Sequence, residues 1–168
     1  TARHDLITAF SDLLVIDYPE ADTVTSWITI LSSLVQVPDE LSNAAGNDVV
    51  TLIQSVIAAA QTQNLPFETA MGLTLSISSI PTSLTPPSAS SPAVTKVYYE
   101  NVMRVLLQQY CELVANDLNV QQQIVSIEST FRVVTSSFYV RDGASISAPP
   151  LPIEEADSAW VPQAYSFG

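Results

Sequence analysis

The stretch Trp27 to Ala60 constrains the fold more than any other part of this chain. Val24, Trp27, Ile28, Leu31, Leu34 and Val35 recur at intervals of three and four residues. That spacing places them on one face of an α-helix. Pro38-Asp39-Glu40-Leu41-Ser42 interrupts the pattern. Val49, Leu52, Ile53, Val56, Ile57 and Ala60 then repeat it. Two apolar helical faces joined by so short a turn must pack, on each other or on a shared third element. Asp22 or Thr23 is the expected cap of the first helix and Asn47 or Asp48 of the second.

The same period extends on both sides. Leu6, Phe10, Leu13 and Leu14, with Ile7 alongside, predict a helix over about residues 3–16, stopped by Tyr18-Pro19. Phe67, Met71 and Leu75 predict a fourth helix, weakened by Gly72 and neighbouring Ser and Thr. Residues 81–93 hold four prolines among small polar residues and read as an exposed loop. From Val94 to Leu118 the apolar stripe is wide, as for a central helix contacted on more than one side. The expected inner residues are Trp27, Leu31, Ile53, Ile57, Val105 and Leu106.

Beyond Gln121 the period changes from 3.6 to 2. Ile124, Ser126 and Glu128 alternate with Val125, Ile127 and Ser129, and the alternation resumes from Phe131 to Val140. Arg141-Asp142-Gly143 is a tight-turn signal, and Ala144–Ala148 reads as a third strand. Helices first and strands second predict an α+β fold: about five helices over residues 1–120, an antiparallel β segment over 121–150 and an extended tail over 151–168. Three strands cannot bury both faces of a sheet. The segment must pack on the helices or, as expected here, pair with strands outside the chain, as the front part of a larger β-sandwich.

Charge narrows the function. Seventeen Asp and Glu face five Lys and Arg, a net charge of −12. Arg3, Lys96, Arg104, Arg132 and Arg141 are scattered, which disfavours nucleic acid and anionic membrane surfaces as partners. No run approaches the roughly 20 apolar residues that span a bilayer. The start at Thr1, without Met or a basic-then-apolar leader, reads as a processed product or a segment of a longer protein. The lone Cys111 lies in an apolar pattern, as a buried free thiol does.

Candidate chemistry is sparse. His4-Asp5 has the residue types of a base and its orienter, but the sequence places no nucleophile or oxyanion site beside it; a polar pair at a helix start is the simpler reading. Asp39 and Glu40 read as residues that cap and favour the next helix start. Glu154, Glu155 and Asp157 carry oxygen ligands suited to Ca²⁺ but lack the glycine and spacing of a calcium loop, so they read as a solvated stretch. Trp27, Tyr98 and Tyr99 read as packing residues. No catalytic residue, metal ligand or cofactor is assigned.

The unit of helix, Pro38-Asp39-Glu40-Leu41-Ser42 and helix resembles the helical part of GAIN domains in polycystin-type and egg-jelly-receptor-type proteins. Phe131-Arg132-Val133-Val134-Thr135-Ser136-Ser137-Phe138, followed by Gly143-Ala144-Ser145-Ile146 and Pro149, is similar to the first strands after those helices, where an aromatic strand leads to a Gly-Ala hairpin. The resemblance covers roughly Asp22 to Pro150. It implies a non-catalytic extracellular structural or interaction module of a large receptor, on a cell or ciliary surface. Its partners would be other segments of that receptor, or a membrane-channel or surface partner. The family's His-Leu-Ser/Thr self-cleavage tripeptide and its bracketing Cys and Trp pairs do not occur, so autoproteolysis is assigned to no residue. The expected interface is the loop 81–93 and the tail, whose Leu151, Ile153, Trp160, Tyr165 and Phe167 are costly to leave in water. A small secreted helical ligand-binding protein with an apolar pocket is the alternative, and an enzyme a distant third.

Overall fold

The computed structural model describes residues 2–87, 92–137, 144–147 and 164–167. The fold is α+β. Helices α1 (Ala2–Ile16) and α2 (Ala21–Leu34) precede a 3₁₀ turn at Pro38–Glu40 and α3 (Asn43–Thr62). Two short helices, α4 (Phe67–Ala70) and α5 (Leu73–Ser78), lead to α6 (Pro92–Ala115). Strands β1 (Gln123–Ile127), β2 (Arg132–Ser136), β3 (Ala144–Ser147) and β4 (Ala164–Phe167) follow.

The apolar faces of α2 and α3 meet as their period requires. Val24, Trp27, Ile28 and Leu31 are buried with Val49, Leu52, Ile53, Val56, Ile57 and Ala60. Leu106, Tyr110, Leu113 and Val114 of α6 close the core. Val105 is only half-buried; Met103 is the buried residue nearby. The caps differ from expectation. Ser42 caps α3, its Oγ accepting from the Ala45 amide at 3.2 Å, because the helix begins four residues ahead of Asn47. The N-cap of α2 is Glu20, whose side chain makes no capping bond. Asp39 and Glu40 lie in the 3₁₀ turn instead, and Glu40 reaches Arg3 of α1 at 2.9 Å.

The expected fourth helix is broken at Met71-Gly72. Gly72 lies so close to α2 that a Cβ there would sit 2.9 Å from Cγ2 of Ile28. Ser32 of α2 bonds across this approach to the Gly72 carbonyl at 3.0 Å. The chain between α5 and α6 is no free loop over its described part. Leu84 is 1% exposed and packs on Gly46 of α3, where a Cβ would stand 2.8 Å from its Cδ1. Asn43 accepts from the Thr85 amide at 2.7 Å, and Asn47 donates to the Thr85 carbonyl at 3.0 Å. The Tyr98 hydroxyl in turn donates to Asn47 at 2.6 Å. Residues 88–91 lie outside the described residues.

Strands β1 and β2 form an antiparallel ribbon, Ile127 opposite Arg132 and Gln123 opposite Ser136. Its inner face packs on the helices through Ile124, Ser126 and Thr135, with Phe131 of the connecting turn. Among the polar bonds that fix it, Ser126 Oγ lies 3.1 Å from the Tyr110 hydroxyl, and Thr74 Oγ1 donates to Glu128 at 2.7 Å. Strand β3 pairs antiparallel with β4, not with β2. The third strand therefore finds its partner inside the chain, in a segment expected to be an irregular tail. Each of the four described strands has one ladder partner here and, as a member of a two-stranded sheet, one further edge.

Charge is scarce on α2 and α3. Hydroxyls cover them instead, and most fold back onto their own helix. Thr25, Ser26, Thr29 and Ser33 of α2, and Thr51, Ser55 and Thr62 of α3, each donate to the carbonyl four residues earlier.

Candidate functional site

Among the described residues, helix α1 meets the body through one face. Ile7 and Phe10 are buried and Leu14 is half-buried. On the same side Arg3 pairs with Glu40 and donates to the Leu34 carbonyl at 3.0 Å. The sequence offered two overlapping apolar stripes on this helix, and the one containing Leu6 and Leu13 faces outward. Leu6 is 57% exposed, Leu13 43% and Ile16 84%. With exposed Ala9 they follow one another at spacings of three, four and three, a continuous stripe along the helix. Val15 and Tyr18 add exposed apolar surface at its C-terminal end. This stripe is the candidate interaction surface of α1.

The charges beside the stripe have one sign. Asp5, Asp12, Asp17 and Glu20 are exposed. At 100° per residue Asp5 and Asp12 lie along the edge of the stripe away from the core. The basic groups of the helix point elsewhere: Arg3 is engaged with Glu40, and His4 Nδ1 lies 3.6 Å from Asp48 of α3. His4 thus meets Asp48, not Asp5, and the sequence-adjacent pair is not brought together as base and orienter.

A groove of about 230 Å³ runs between α1, α2 and α3, on the side of α1 away from the stripe. Leu14, Val15, Trp27 and Leu52 line it, with Ser11 and Ser55 among its polar groups. Trp27 is 3% exposed and its indole N–H has no hydrogen-bond partner, so it packs as expected but leaves a buried donor unused. A wider apolar shelf is formed by Pro86, Val94, Val97, Tyr98 and Asn101. On the ribbon, Val125 and Ile127 face outward at 42% and 45% exposure.

Cys111 is free and half-buried. Burial pushes its thiol upward in pKa, against a lowering hydrogen bond to Thr135. Burial likewise raises Tyr110, against its bond to Ser126, and Tyr99, against Thr130. Among the described residues no three His, Cys, Asp or Glu side chains are grouped to hold a metal ion, and no helix is long and apolar enough to cross a membrane.

Of the residues expected at an interface, Leu151, Ile153 and Trp160 lie outside the described residues, as do Glu154, Glu155 and Asp157. Tyr165 and Phe167 lie in β4, opposite Ile146 and Ala144. The apolar period of α1 predicts the helix but does not say which of its residues face outward. The available signal was an apolar arc on α1 too wide for one neighbour, with Asp5 and Asp12 repeating seven residues apart along it. No protein-family model, curated protein or solved structure matches this chain.

Proposed function

We propose that the chain is a non-catalytic structural or interaction module that docks another protein segment on the outer face of α1. The observation that carries this reading is the exposed run Leu6, Ala9, Leu13 and Ile16 on a helix whose other face is anchored. A helix surface with apolar anchors at such spacing fits the groove-and-helix mode of protein recognition. The setting we propose is the extracellular part of a large polycystin-like receptor or ciliary surface assembly. Its support is the resemblance of the helix, Pro38 turn and helix unit to GAIN domains, and the order of helices followed by strands. The tail residues Leu151, Ile153, Trp160, Tyr165 and Phe167 are proposed as a second contact with the same assembly.

Hydrogen exchange tests both contacts. Backbone amides over residues 2–18 and 164–167 should exchange more slowly in the native assembly than in the isolated chain. Equal rates in the two states at residues 2–18 would remove α1 as the docking face. The groove beside Trp27 supports the alternative, a small helical ligand-binding protein. In that case added ligand should displace an apolar fluorescent probe from the groove and shift the Trp27 emission.

A further inference from the structure

The charges around the α1 stripe select the chemistry of what covers it. We propose that its occupant is a basic amphipathic helix, an inference that rests on the docking reading above. The stripe from Leu6 to Ile16 spans about 15 Å at 1.5 Å per residue, the length of a partner helix of roughly three turns. Leu6, Ala9, Leu13 and Ile16 supply an apolar seam with one small residue, Ala9, between Leu6 and Leu13. A partner with Leu or Ile at matching three- and four-residue spacing fills the hollow at Ala9 and packs between Leu6 and Leu13.

The border decides the sign of the partner. Asp5 and Asp12 recur seven residues apart along one edge, and Asp17 and Glu20 close the C-terminal end. Residues seven apart lie two turns apart on nearly the same face, the position from which the flanking charges of paired helices meet. Lys or Arg flanking the partner's seam would face these carboxylates. The helix's own Arg3 does not compete, since it is engaged with Glu40, and His4 lies toward Asp48. A second copy of this chain is a poor occupant. It would bring another −12 charge and a second Asp5 and Asp12 border against the first, and like charges across an interface oppose pairing. An anionic lipid surface is opposed for the same reason.

The test uses two synthetic helical peptides of about 18 residues with identical Leu seams, one flanked by Lys and the other by Glu. Binding to the whole chain is read by fluorescence anisotropy at two ionic strengths. The Lys peptide should bind and weaken as salt rises; the Glu peptide should bind at least tenfold more weakly. Asp5→Asn with Asp12→Asn should lower affinity for the Lys peptide about five- to tenfold, the range for two exposed rim pairs. Glu100→Gln with Glu112→Gln, an equal charge change on α6, should change it less than about twofold if the site is α1. Leu6→Ser with Leu13→Ser should abolish binding, with the circular dichroism spectrum retained because both residues are exposed.

If both peptides bind equally and Leu6→Ser with Leu13→Ser abolishes both, the docking face stands and the basic partner is overturned. If binding survives that pair of changes, or if neither peptide binds, α1 is not the docking face and both readings fall. If sedimentation shows a dimer that Leu13→Ser dissociates, a second copy is the occupant and the basic-helix proposal is overturned.

Discussion

Substituting Gly46 and Leu84, singly and together, probes how firmly the proline-rich segment belongs to the core. Leu84 is 1% exposed, and its Cδ1 occupies the space next to the Gly46 Cα. Leu84→Ala removes three buried carbons, about 2.4 kcal/mol at roughly 0.8 per group, and a cavity term brings the expected loss to about 2–5 kcal/mol. Gly46→Ala has two opposed effects. Alanine favours the helix by about 1 kcal/mol, but the new methyl would meet Leu84 Cδ1 at 2.8 Å, and overpacking costs about 1–3 kcal/mol. The single change should therefore be neutral or destabilising by up to about 2 kcal/mol. With Leu84 already truncated the collision is gone, and Gly46→Ala should stabilise by about 1 kcal/mol. The cycle, measured by urea unfolding monitored at Trp27 and by circular dichroism, should give a coupling of about 1–3 kcal/mol. Effects additive within about 0.5 kcal/mol would mean that Leu84 does not rest on Gly46 and that residues 81–87 are an ordinary surface loop.

Leu31→Ala or Ile53→Ala should cost about 2–5 kcal/mol in the same assay, since both side chains are fully buried. Asn47→Ala should cost about 1–3 kcal/mol, because it strands the Tyr98 hydroxyl and the Thr85 carbonyl together; Asn47 should also give way less to Asp, which cannot donate. Raising pH should destabilise the fold. Cys111, Tyr99 and Tyr110 are neutral when protonated, and burial holds those protons more tightly in the folded chain. Their contribution is intact below the ordinary values of 9.0 for the thiol and 10.0 for the phenols and is lost as pH rises through the higher folded values; urea midpoints from pH 8 to 11 check the sign. Alkylation of Cys111 should be slower in the native chain than in urea at the same pH, and equal rates would contradict the raised thiol.

Where one apolar stripe faces one neighbour, the residues themselves announce the packing. Trp27, Leu31, Ile53 and Ile57 lie inside as their period requires, and the switch to period 2 after Gln121 marks the ribbon. On α1 the period was legible but the facing was not. Ile7 and Phe10 point inward and Leu6 and Leu13 outward, and both sets satisfy the same spacing, so only the position of α3 decides between them. Leu84 was hidden among prolines, where no period exists; what places it is the room left by a glycine 38 positions earlier in the chain. The pairing of β3 with β4 was hidden for a related reason, since four-residue strands carry too few alternations to declare their partner. The candidate docking face was legible only in part: its residues were visible, but their exposure depends on which stripe the body of the protein uses.

The hydroxyls folded back along α2 and α3 govern how the molecule responds to its medium. Past Asp22, α2 carries no ionised side chain, and α3 carries Asp48 alone. Those walls hold water through groups whose polarity neither acid nor salt alters, so dilution or brine leaves them as they were. The carboxylates of α1 behave otherwise, because their reach contracts from about 30 Å in dilute electrolyte to about 8 Å at physiological ionic strength. One molecule thus combines an inert flank with a responsive one, and the composition of the surrounding fluid sets the distance at which a cationic neighbour first feels the protein.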